Sequence, residues 1–194
     1  ASNEINGTSN MTGPIPVEGP GGANSAVQYL ASLNTSGIAR IGFNPISGTS
    51  TGEQVTATIY VKGVNYDTVS FGFSSTNLGS NSRREFHLDT LTTQGPGLGA
   101  TDVSIEDAGN GWRRLRITTI PKINDGVIYP YLDLGSTGND NHTTDQGLQF
   151  YGFQVEVGLF PTSFIPTSGS AVTRAADVST SALGVDSFYN ESEG

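Results

Sequence analysis

Five polar or aromatic side chains fall on alternate positions of short apolar runs. They are Tyr60 in "QVTATIYVK", His87 in "REFHLD", and Tyr129, Tyr131 and Asp133 in "VIYPYLDL". A β-strand turns successive side chains to opposite faces, so this set emerges opposite Val55, Ile59, Phe86, Ile128 and Leu132. Tyrosine rings stack on the C–H faces of sugars, while phenol, imidazole and carboxylate groups exchange hydrogen bonds with hydroxyls. That is the chemistry of holding a neutral or weakly polar glycan. The five are the candidate ligand-binding residues; no catalytic or metal-ligating residue and no cofactor is assigned.

Other constellations have plainer readings. "GTSTG", Gly48–Gly52, matches the G-x-S-x-G nucleophile pattern, which needs a strand, a strained turn and a helix. Here a Gly- and Ser-rich loop joins two strands, so Ser50 is not taken as catalytic. "GNDNHTTDQG" offers Asp140, Asn141, His142 and Asp145 but lacks the spacing and closing Glu of an EF-hand, which favours a solvated turn over a bound cation. Trp112 could stack on a pyranose, yet the one Trp of a β-rich chain more commonly packs in a core or along an edge. Arg114 and Arg116 could clamp an acidic sugar, but Glu156 on a neighbouring strand suits a surface ion-pair ladder. Five N-x-S/T sequons, at Asn6, Asn10, Asn34, Asn141 and Asn190, are what an Asn- and Thr-rich chain produces by chance.

Short strands must position these groups. Glycine makes up 26 of 194 residues, and only 35% are hydrophobic, a composition of strands and turns rather than helices. Period-2 runs predict strands near Ala26–Ser32, Ile38–Phe43, Gln54–Lys62, Thr68–Ser74, Arg84–Asp89, Thr101–Glu106, Trp112–Thr119, Gly126–Leu134 and Gly147–Val157. Between them lie turn formers such as "TNLGSNS", "TQGPGLG" and "DAGNG". Residues 1–24, with Pro14, Pro16 and Pro20, suit an irregular or edge lead-in. The fold class is all-β: a jelly-roll sandwich of two antiparallel sheets over about residues 25–160. Its core is expected to hold Val55, Ile59, Phe71, Phe73, Phe86, Leu115, Ile117, Leu132, Phe153 and Val155, with Val157 also inward.

Jelly-roll wiring deals successive strands mostly to alternate sheets. On that rule the strands at 54–62, 84–89, 101–106 and 126–134 share one sheet, whose outer face carries Tyr60, Glu85, His87, Tyr129, Tyr131 and Asp133. The other sheet carries Arg114 and Arg116 beside Gln154 and Glu156. Charge and length exclude other classes. A net charge of −9 repels a phosphate backbone, and no apolar run nears the roughly 20 residues of a membrane helix. No cysteine is present, so there is no disulfide framework. A chain that begins at Ala1 reads as a piece of a longer protein.

"TATIYVKG", "DAGNGWRRLRIT", "LQFYGFQVEVG" and "FPTSFIPTSGSAVTRAADV", in that order, resemble a carbohydrate-binding-module-like jelly roll. That domain recurs in tail-fibre, spike and other structural proteins of bacteriophages. The resemblance spans roughly Val27 to Val178, and its last segment is the most specific. It implies a non-catalytic virion module, extracellular, that recognises a host cell-surface glycan, with other virion subunits as partners and a homotrimer as the common assembly. A structural spacer or decoration domain is the alternative. A jelly-roll polysaccharide lyase is remoter: "RREF" and "YVKGVNY" are similar to lyase strings, but in reversed order and without an intervening "QIH". Residues 161–178 are expected to form a packed connector, anchored by Phe160, Phe164 and Ile165. Residues 179–194, including "ALGVDSFYNESEG", resemble the start of a following lectin-like domain.

Overall fold

The computed structural model describes residues 5–32, 37–74, 78, 82–95, 99–122, 126–136 and 140–164. The chain divides into Ala1–Phe164 and Ile165–Gly194, and every described residue belongs to the first unit. The described strands are β1 (Ile5–Ser9), β2 (Met11–Gly19), β3 (Gly22–Ala31), β4 (Ala39–Phe43), β5 (Ile46–Thr49), β6 (Val55–Val64) and β7 (Thr68–Ser74). After them come β8 (Ser82–His87), β9 (Thr92–Gln94), β10 (Ala100–Gly109), β11 (Trp112–Thr119), β12 (Gly126–Leu134) and β13 (Gly147–Val157). All nine expected strands are present.

Two antiparallel sheets pack face to face as a jelly-roll-like β-sandwich. The first runs β1-β4-β12-β7-β8-β9, with β5 also pairing β12; the second runs β10-β11-β6-β13-β3-β2. Residues 5–19, ahead of the expected start at 25, supply one edge strand to each sheet. Pro14 and Pro16 sit in β2, where the missing amide hydrogens cost no ladder bond on the outer side.

The core forms where alternate residues of both sheets meet. Val55, Ile59, Phe71, Phe73, Phe86, Leu115, Ile117 and Leu132 are fully buried, while Phe153 and Val155 are partly buried against them. Phe43 links the layers: its ring stacks on Phe153 at 4.0 Å and meets Phe150 edge-on at 5.6 Å. Val157 departs from expectation at 65% exposure, because it ends β13 where the facing sheet no longer covers it.

The expected dealing of strands to sheets fails in one respect. β8 and β12 share the first sheet, but β6 and β10 belong to the second. The cause is local. "DAGNG" closes β10 onto β11 through Gly109, Asn110 and Gly111, all at positive φ. A turn this tight keeps both strands in one sheet. β7 and β8 likewise pair directly, so alternation is broken twice.

Candidate functional site

The outer face of the first sheet carries four of the five expected residues. β12 presents Tyr129, Tyr131 and Asp133, and β8 presents Glu85 and His87, with β7 between them. Tyr129 is exposed, but Tyr131 and Asp133 retain only 2% and 1% of their surface. Gly42 and Gly72 are Tyr131's cross-strand partners and have no side chains to lift its ring from the sheet. Arg40 then closes the site: its guanidinium lies 3.9 Å above the Tyr131 ring and donates to both Asp133 oxygens at 2.7 and 2.8 Å. Burial pushes the Asp133 carboxyl up, against the opposite pull of Arg40. The hydrogen bond to Asp133 in turn raises Arg40. Burial also raises the Tyr131 phenol. His87 lies within 3.2 Å of both the Gln94 amide oxygen and the Glu85 carboxylate. Of the four, only Tyr129 remains exposed; Asp133 and His87 are engaged by neighbouring side chains, and Tyr131 is covered by Arg40.

Tyr60, the fifth residue, is on the second sheet, a correction that follows from the placement of β6. Its register partners are Arg114 on β11 and Tyr151 on β13. The Tyr60 and Tyr151 rings stand 5.9 Å apart, and the Arg114 guanidinium lies 6.0 Å from the Tyr60 centroid. Thus Arg114 and Arg116 share a sheet with Tyr60 instead of lying opposite it. Nor do they ladder with Glu156: Arg116 pairs with Asp102 at 2.8 Å, and Glu156 accepts bonds from Thr162.

Tyr151 was not legible from alternation. Carried back from Phe153, strict period two would turn it inward. Instead β13 bulges between Tyr151 and Gln154, with Gly152 at φ 62°. The extra residue inverts the phase, so Phe150 and Phe153 both face the core and Tyr151 emerges beside Tyr60. A glycine inside "FYGF" was the available signal.

Next to this pair of rings is a cleft of about 440 Å³. Trp112, Lys62 and Gln149 line it from the sheet, and the turns around Val17–Pro20 and 108–110 form its walls. Trp112 is 5% exposed, so it serves chiefly as packed lining and not as an open stacking platform. Lys62 donates to the Asn110 carbonyl at 3.0 Å, and the Gln149 amide donates to Gln28 at 2.8 Å. Glu18 stands on the far wall.

The remaining motifs disperse. Ser50 sits in an exposed turn between strands, with its amide donating to Glu53. Asp140 accepts from the Ser136 amide and hydroxyl, Asp145 accepts from Thr143, and His142 is buried edge-on against Tyr66. "RREF" lies on the first sheet and "YVKG" on the second, so the lyase-like strings do not share a surface. Of the connector, Phe160 is 73% exposed, contrary to its expected anchoring role, because the chain turns outward after β13. Phe164 does pack, 5.0 Å from Tyr151, and Thr162 is pinned to Glu156 through its amide at 2.9 Å and hydroxyl at 2.6 Å. Ile165 lies outside the described residues. No family model matches the chain, and the search of curated proteins finds no match.

Proposed function

We propose that this chain is a non-catalytic glycan-binding module of a phage virion, displayed outside the host cell and serving recognition of its surface. The sugar site in this reading is the outer face of the second sheet, not the Tyr129–Asp133 face. One observation carries it: Tyr60 and Tyr151 stand in register beside a cleft floored by Trp112, Lys62 and Gln149. Paired rings offer apolar faces to pyranose C–H groups, and the cleft supplies amide, ammonium and carboxylate partners for hydroxyls. Its size falls within the roughly 300–1,000 Å³ range of small-ligand sites. The virion setting rests on the motifs alone, above all "FPTSFIPTSGSAVTRAADV".

A spacer role is favoured by a different observation, the exposed pair Val157 and Phe160 at and just beyond the end of the last strand, which offers apolar surface to a neighbouring subunit. A glycan array separates the two. The wild-type chain should bind, a Tyr60→Ala/Tyr151→Ala variant should lose binding about tenfold or more, and Tyr129→Ala should bind as wild type. Absence of binding by the wild-type chain would favour the spacer.

A further inference from the structure

Resting on that reading of the second sheet, we infer that the glycan it takes is acidic, with a carboxylate-bearing sugar seated between Arg114 and Lys62. The chain has an excess of acid, with 18 Asp plus Glu against nine Lys plus Arg, so cations without partners are unexpected. Arg40, Arg113 and Arg116 are each committed to an aspartate at 2.6–2.8 Å. Among the described residues Lys62, Arg83, Arg84, Arg114 and Lys122 have no such carboxylate, and of these Lys62 and Arg114 flank Tyr60 on the second sheet. Even Glu106, the register partner of Arg114 on β10, forms no ion pair with it. Lys62 spends one of its protons on the Asn110 carbonyl. Arg114 makes one long bond, 3.5 Å to the Thr162 carbonyl, and its Nε is buried with no acceptor.

Sheet geometry brings the two cations to one spot. Arg114 is directly opposite Tyr60, and Lys62 is two residues along the same strand face. A cross-strand neighbour lies about 5 Å away and a same-face neighbour about 7 Å, both within reach of one pyranose stacked on Tyr60. A carboxylate on that ring meets the guanidinium as a charge-assisted acceptor. Glu18, on the opposite wall, repels a carboxylate there and accepts hydroxyls instead, which fixes the direction of the sugar. On the first sheet Arg40 is held by Asp133, and Arg83, whose Nε is also buried without an acceptor, lies in register with the covered Tyr131, so no exposed pair of rings stands beside it.

Calorimetric titration of the full chain tests this with oligogalacturonate, a sulfated galacto-oligosaccharide, and neutral galacto- and cello-oligosaccharides. Oligogalacturonate should bind most tightly, and its affinity should fall as salt rises. Arg114→Gln and Lys62→Gln should each weaken it about tenfold, with neutral sugars unaffected. Tighter binding of the sulfated ligand, or of a neutral one, would overturn the inference while leaving the sugar-binding reading intact. So would oligogalacturonate binding that survives both substitutions in variants with wild-type melting temperatures. Failure of all four ligands would overturn both.

Discussion

Arg40 decides what the outer face of the first sheet can do. With its guanidinium stacked on Tyr131 and forked onto Asp133, the three side chains form a closed unit. Removing one member of a fully buried pair costs about 3–5 kcal/mol, chiefly through the charge left behind. Arg40 keeps 30% of its side-chain surface, so water relieves part of that penalty. Asp133→Ala should therefore destabilise the fold by on the order of 2 kcal/mol, read as a shift in denaturant midpoint at unchanged slope. A loss near zero would mean that the pair is an ornament of the surface. Glycan binding should be untouched in either case, because Asp133 is remote from the second sheet's outer face.

At the scale of the element, β13 is the strand on which the proposed site depends. Its bulge carries Tyr151 outward, and Gly152 makes that possible in two ways. Its φ of 62° suits glycine, and an added Cβ would meet the rings of Tyr60 and Phe164 at 3.2 and 3.3 Å. Gly152→Ala should cost about 1–2 kcal/mol through the left-handed backbone. It should also weaken sugar binding by displacing Tyr60, which a thermal melt and a titration would report separately. Unchanged binding in a folded Gly152→Ala variant would show that the spacing of the two rings does not matter. The strand also holds the described start of the connector. Glu156 grips Thr162, and Phe164 covers Tyr151, so polar bonds and one aromatic contact do the anchoring expected of Phe160.

Across the whole molecule, burial leaves a signature in the tyrosines. Tyr29, Tyr66, Tyr131 and Tyr151 all have phenols raised above the ordinary value, with burial the largest cause. Such a phenol keeps its proton in the folded state after the unfolded chain has released it. The folded state then binds more protons, and stability falls as pH rises past the unfolded value of about 10. Melting temperature should drop from about pH 10 upward, and phenolate absorbance should rise in two stages, the later one coinciding with unfolding. A single early stage with an unchanged melting temperature would contradict the burial of these rings.

Period-two patterning needs only neighbouring residues, and it was enough to place nine strands and eight fully buried core positions. It also identified the outward set on β12, because Ile128 and Leu132 must face inward whatever the topology. Pairing between distant strands was beyond its reach. Whether Tyr60 shares a face with Tyr129 depends on which sheet receives β6. The tight "DAGNG" hairpin and the direct β7–β8 pairing decide that against simple alternation. Tertiary structure alone also decides that Tyr131 is covered, since its lid, Arg40, lies 91 positions away in the chain. It likewise sets Tyr151 beside Tyr60, because a one-residue bulge reverses every inside–outside assignment beyond it.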